Sequence, residues 1–195
     1  ADVAIEFSTP ESAFANIATC LEAGVPVVSG TTGWLQRKEE IDRLCLSKNG
    51  AFLYASNFSI GVNIFFEINK RLAVLMNKYE VYDVDVCETH HTAKLDKPSG
   101  TAISLANDII QRLERKKVWT ISPPADNNSR SLYIDCIRKD PAPGTHTVRY
   151  TSEIDDITIT HTAHSRLGFA KGAILAAEYL ADKKGVFDMK DVLAI

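Results

Sequence analysis

No apolar run in the 195-residue sequence approaches the roughly 20 residues that a membrane-spanning helix needs. No basic segment is followed by an apolar one, so nothing argues for export, and the expected compartment is the cytoplasm. Positive charge is not in excess. The 22 Lys and Arg against 25 Asp and Glu leave a formal net charge of -3, so no basic field draws the chain to nucleic acid or to an anionic membrane. The four cysteines, Cys20, Cys45, Cys87 and Cys136, are far apart and form no CxxC pair. Free thiols in a reducing compartment are expected, rather than a zinc site or a disulfide. Internal repeats and low-complexity segments are also missing. What remains is ordinary globular material, 45% hydrophobic and 24% charged. It suffices for one large domain or two small ones with a real core.

The first third alternates strand and helix. Residues 3–7 read as a strand. Thr9-Pro10-Glu11 announces a helix, with Thr9 at the N-cap, Pro10 at the first helical position and Glu11 near the positive dipole end. Phe14, Ile17, Ala18 and Leu21 make its apolar stripe, and Gly24 stops it. A strand at 25–28, a helix at 35–47 and a strand at 51–55 follow. This β-α-β-α-β order implies a parallel sheet with right-handed crossovers, like half of a Rossmann domain. The rhythm then changes. Helices are expected at 61–79 and 101–114, and strands at 80–89, 131–138, 146–151 and 157–164. A Pro- and Gly-bearing turn lies at 140–144, and a last helix spans 169–181. The fold class is therefore α/β: a partial Rossmann-like parallel sheet plus an α+β domain built on a mixed sheet of four strands.

Chemistry concentrates in one stretch, residues 88–102, which leaves a strand and enters a helix. His90 and His91 titrate near neutral pH and can exchange a proton. Lys94 is a cation a few residues on. Ser99-Gly100-Thr101 opens a helix, so free amides and hydroxyls point outward, and Gly100 lets a ligand approach the backbone. A proton donor, a cation and an anion cradle together suggest a carboxylate-bearing substrate. A metal site from His90, His91 and Asp96 is weak by comparison. Adjacent histidines at a strand end point to opposite faces, and no HExxH spacing occurs, so no metal is expected.

Taken together, Glu88, His91, Lys94, Asp96, Pro98, Ser99, Gly100, Thr101 and Ala102 match Glu-x-x-His-x-x-Lys-x-Asp-x-Pro-Ser-Gly-Thr-Ala. That pattern resembles the signature of the 4-hydroxy-tetrahydrodipicolinate (dihydrodipicolinate) reductase family. The likeness extends over nearly the whole chain. Residues 2–11 are similar to the family's first strand and helix start, with Glu6 where Asp is commoner. Residues 27–33 are similar to its nicotinamide loop, residues 55–63 to its hinge segment, and Ser165-Arg166, Phe169-Ala170 and Gly172-Ala173 to its return helix.

The resemblance implies NADPH or NADH as cofactor, contacted by Gly30, Thr31, Thr32, Gly33, Ala55, Ser56, Asn57 and Phe58. It implies His90 as general acid/base and Lys94 as a catalytic cation. His91, Ser99, Gly100 and Thr101 would contact a cyclic dicarboxylate, and Asp96 would orient the loop. It also implies a homotetramer. Three segments are expected: a partial dinucleotide-binding domain at 1–57, a substrate-binding and oligomerisation domain at 58–166, and a return segment at 167–195 that packs on the first domain. No Gly-x-Gly-x-x-Gly turn occurs in the sequence. Because the chain starts at Ala1 within a strand pattern, that turn is expected upstream. The alternatives are an inactive fragment that keeps only the oligomerising, anion-binding domain, and a metal hydrolase using His90, His91 and His164.

Overall fold

The computed structural model describes residues 1–123 and 130–195. The chain forms two compact units. One comprises Ala1–Asn63 with Leu167–Ile195, and the other Ile64–Arg166.

The first unit is a parallel sheet in the order β1-β2-β3-β9, formed by Ala4–Glu6, Val27–Ser29, Ala51–Tyr54 and Gly185–Phe187. Helices α1 (Pro10–Glu22) and α2 (Lys38–Ser47) connect its first three strands. At the start of α1 the Ser12 hydroxyl accepts the Thr9 amide at 3.4 Å. The inner strands β2 and β3 are buried on both faces, because side chains alternate along each one. Val27 and Phe52 pack with Ile17, Leu21, Trp34 and Ile41 under α1 and α2. Val28, Ala51 and Leu53 pack with Ala173, Ala176 and Leu180 of α5 (Leu167–Leu180) and with Met189 of α6 (Met189–Leu193).

The second unit holds a five-stranded mixed sheet in the order β5-β6-β4-β7-β8. These strands are Val118–Thr120, Ser131–Arg138, Asp83–His90, Gly144–Thr151 and Asp156–Ala163. Helix α4 (Gly100–Ile110) and the part of α3 (Ile60–Met76) that belongs to this unit supply the apolar cover. Val84 and Val86 of β4 meet Leu105 and Ile109 of α4, with Leu132, Ile134 and Val148 beside them. Burying each such side chain contributes about 1.5–3 kcal/mol. Burial alternates without a break along β4, so Glu88 and His90 continue the helix-covered face begun by Val84 and Val86. Polar groups thus sit where the hydrophobic pattern calls for core.

The second sheet has one strand more than the four read from the sequence. The addition is β5, whose three residues are too few to show alternation. The equally short β9 escaped for the same reason and completes the first sheet. The segment read as one helix at 35–47 begins as a 3-10 turn, Leu35–Arg37, before α2.

Within the first unit, α5 approaches the chain before α3 closely. A Cβ built on Gly172 would lie 1.8 Å from the Phe58 carbonyl oxygen and 2.8 Å from its carbon. Backbone cannot yield as a side-chain tip can. Gly172→Ala is therefore expected to destabilise the protein by about 1–3 kcal/mol, the usual scale of overpacking. Urea unfolding at neutral pH measures this, and an unchanged midpoint would contradict the packing described.

Candidate active site

Strand register assembles the site. Glu88 of β4 lies directly across from His146 of β7 and beside Cys136 of β6, while His90 lies beside Arg138. The Glu88 side chain is fully buried. Both its oxygens accept the Ser99 amide, at 3.2 and 3.1 Å. The Arg138 guanidinium sits 3.3 Å from Oε1 through both terminal nitrogens. His90 Nδ1 and His146 Nε2 lie 3.5 and 3.8 Å from Oε2. The two imidazoles pack edge to face at 5.0 Å between centroids.

Ser99 is the N-cap of α4. Its hydroxyl accepts the Ala102 amide at 3.2 Å and lies 3.2 Å from His146 Nε2. Having accepted from Ala102, the hydroxyl can donate to His146. Its own amide is taken by Glu88, so the next amides, of Gly100 and Thr101, have no acceptor among the described residues. Gly100 is exposed, and a Cβ there would meet nothing within 4 Å. This is an open helix start, aimed by its own cap, where an anion gains both N–H donors and the positive end of the dipole.

The loop between β4 and α4 carries Lys94, whose Nζ pairs with Asp96 Oδ1 at 2.8 Å. The Asp96 carbonyl accepts Arg138 Nη2 at 2.7 Å, which ties the loop to β6. His91 anchors the loop by donating its amide to the Ala142 carbonyl at 2.9 Å, and its carbonyl accepts the Lys94 amide at 3.1 Å. Its side chain is half-buried.

Burial pushes the His90 imidazole below its ordinary pKa. The Glu88 carboxylate opposes this, while Lys94 and Arg138 add to it. Burial, followed by the neighbouring His90, pushes His146 down to about 4. Burial would raise Glu88, but the Ser99 hydrogen bonds and the two histidines hold it below its ordinary value. The unit therefore holds an ionised carboxylate beside two weakly basic imidazoles. Glu88, His90 and His146 also present atoms within 4.8 Å of one another, as a metal ion would need. However, Arg138 and Ser99 occupy the carboxylate, and Ser99 engages His146. The set is committed to protein partners, and a cation would have to displace them.

In the first unit, the loops after β1, β2 and β3 leave the same edge of the parallel sheet, because Glu6, Ser29 and Tyr54 are in register. Such edges are where open α/β sheets bind ligands. Glu6 is buried and accepts hydroxyls from Ser29 at 2.7 Å and Thr31 at 3.1 Å, as well as from Ser8. Trp34 Nε1 donates to the Thr31 carbonyl at 2.7 Å. Thr31 thus braces the loop, while Thr32 and Gly33 are exposed. Gly33 has φ +83° and Pro10 is packed against it, so the loop requires glycine there. At Gly30 a Cβ would run into the Phe7 ring at 2.2 Å. Ala55 and Phe58 are buried, Asn57 is half-buried, and Ser56 is exposed. The exposed Phe7 ring lies 5.5 Å from Phe58. An exposed aromatic face beside exposed backbone fits the nicotinamide end of a dinucleotide.

Of the residues singled out from sequence, the structure gathers His90, Lys94, Ser99, Gly100 and Thr101 at one end of β4 and the start of α4. It places Gly30–Gly33 and Ala55–Phe58 in the other unit. Sequence reading passed over His146 and Arg138. A lone histidine and a lone arginine in strands carry no spacing signal. Only the strand register, which puts His146 opposite Glu88, exposes them.

The family description "Dihydrodipicolinate reductase, N-terminus" matches residues 1–58, and "Dihydrodipicolinate reductase, C-terminus" matches residues 61–193. The chain is 54% identical over 193 residues to a 4-hydroxy-tetrahydrodipicolinate reductase of Christiangramia forsetii, covering 99% of this chain and 80% of the relative. It is 36% identical over 201 residues to a like-named protein of Chromobacterium violaceum, covering 100% of this chain and 74% of that one. The structure resembles a dipicolinate-bound dihydrodipicolinate reductase from Paenisporosarcina sp. TG-14, with a TM-score of 0.75 at 24% identity. That match covers 96% of this chain and 71% of the other.

The depressed His146 pKa has a consequence for stability. The folded protein favours neutral imidazole, whereas the unfolded chain binds a proton near the ordinary histidine value of 6.5. The associated stabilisation is complete above that value and is lost as pH falls from about 6.5 to about 4. It amounts to about 3 kcal/mol. The Glu88 carboxylate, held below its ordinary pKa, adds loss in the same direction at still lower pH. Urea unfolding at pH 7 and pH 4.5 should show a larger drop for the wild type than for His146→Gln. Equal drops would contradict a buried neutral imidazole.

Proposed function

Since this chain belongs to the dihydrodipicolinate reductase family, we propose that it reduces 4-hydroxy-tetrahydrodipicolinate to tetrahydrodipicolinate with NADPH or NADH, in lysine and diaminopimelate biosynthesis. One observation of the fold carries the reading. A proton-exchanging imidazole, a lysine cation and an open helix start converge at the end of β4 and the beginning of α4. That is what a ring bearing two carboxylates needs.

In this reading one substrate carboxylate lies on the Gly100 and Thr101 amides, with the Ser99 cap setting their direction. Lys94 exchanges its partner Asp96 for the other carboxylate, and His91 contacts the substrate from the loop. When bound, the dihydronicotinamide supplies the hydride. Thr32, Gly33, Ser56 and the backbone from Ala55 to Phe58 would hold it, with Gly30 and Thr31 shaping the loop. The 4-hydroxyl leaves as water, and the chain's own chemical step is a proton delivered by His90 to the ring carbon next to the one that receives hydride. The proposal extends to a homotetramer in the cytoplasm. Support for assembly is the β8 edge, which pairs only with β7 among the described residues. Support for the compartment is that all four cysteines are free. Among the described residues no helix is long and apolar enough to cross a membrane.

His90→Ala in the full-length protein should lower kcat by about 10²–10⁴-fold, the typical contribution of a positioned acid. Lys94→Ala should lower kcat and also raise KM. Steady-state assays following nicotinamide absorbance measure both, and wild-type constants in either variant would remove that residue's role.

A further inference from the structure

Glu88 and His146 take no part in the reaction as just described, yet they are among the most buried polar groups of their unit. We propose that Glu88, assisted by His146, is the positioning residue of the site, fixing both the His90 imidazole and the anion-binding start of α4. The inference rests on His90 being the acid of the proposed reaction.

The geometry has two arms. On one side, Glu88 Oε2 faces His90 Nδ1 at 3.5 Å, and Nδ1 is buried with no formed hydrogen bond. A small rotation of either side chain closes this contact, as such contacts tighten when substrate binds. A carboxylate at Nδ1 selects the tautomer with its proton there and leaves Nε2 for exchange. Nε2 in turn faces Gly144, where a Cβ would stand 3.1 Å away. Gly144 has φ +156°, and glycine there lets the β7 backbone lie close beside the ring. On the other side, the same carboxylate holds the Ser99 amide through both oxygens. That bond sets where α4 begins and so where the Gly100 and Thr101 amides point. His146 closes the frame, with Nε2 3.2 Å from the Ser99 hydroxyl. One carboxylate therefore sets the distance between acid and cradle.

The charges around His90 show why the carboxylate must be ionised. Lys94 from the loop and Arg138 from β6 disfavour a protonated ring, as does burial. His146 from β7 packs on the ring at 5.0 Å and stays neutral at physiological pH. Glu88 and, more weakly, Asp96 are the groups that favour protonation. The Glu88 charge opposes that fall, so without it the His90 imidazole would be held lower still and would carry its exchangeable proton over a narrower pH range.

The test uses the full-length enzyme. In the wild type, ¹⁵N-histidine NMR should show neutral His90 protonated at Nδ1. Glu88→Gln keeps an acceptor for Ser99 but removes the charge. It should lower the His90 titration midpoint by about one pH unit and move the alkaline limb of kcat down equally. Rates above the limb would fall about tenfold, with KM changed less than about threefold. Glu88→Asp should restore the limb. An Nε2-protonated ring in the wild type, or a Glu88→Gln profile identical to the wild type, would overturn the proposal. The parent reading fails separately, if His90→Ala itself turns over normally.

Discussion

A single buried carboxylate, that of Glu88, joins four elements of the second unit. It accepts the amide of the α4 cap residue and the guanidinium at the end of β6, and it lies 3.5 and 3.8 Å from the facing nitrogens of histidines on β4 and β7. Burying such a charge is costly unless its partners satisfy it, and removing one partner leaves the others stranded. The arrangement is therefore stiff by construction. Apolar packing of Val84 and Val86 against α4 brings the strand under the helix. Two residues further along the same face, the polar frame takes over and sets where the helix starts.

The first unit solves a similar problem with the same residue type. Glu6 lies at the end of its strand and gathers the hydroxyls of Ser8, Ser29 and Thr31, so that the loop after β2 is held against the sheet edge. In each unit a buried glutamate at or near the end of a strand orders the loop that follows as a ligand-facing one. The exposed tips, Thr32 and Gly33 in one and Gly100 in the other, stay available because the buried positions next to them carry the ordering.

Much of this was legible in the residues. Thr9-Pro10-Glu11 placed α1, two-residue alternation placed β4, and Ser99-Gly100-Thr101 announced both the start of α4 and its capacity for an anion. The histidine pair and Lys94 were visible as a dense polar stretch. The frame behind them was not. His146 lies far from Glu88 in the chain, and the contact exists only because β7 pairs antiparallel with β4 in one register. Arg138 looks like any strand-end cation until its parallel pairing with His90 is known. The short strands β5 and β9 gave no periodic signal, and Gly172 gave no sign that a carbonyl lies against its Cα. Local chemistry could be read from neighbours in sequence, while positioning depended on long-range pairing.

The most direct measurement is a crystal structure of the full-length protein with pyridine-2,6-dicarboxylate. The account requires one carboxylate on the Gly100 and Thr101 amides at about 3 Å. It also requires Lys94 turned from Asp96 to the ligand, His90 Nε2 toward the ring, and the Glu88–Ser99 contact intact. A ligand whose carboxylates rest on other groups, or a complex in which Glu88 has released Ser99, would contradict it.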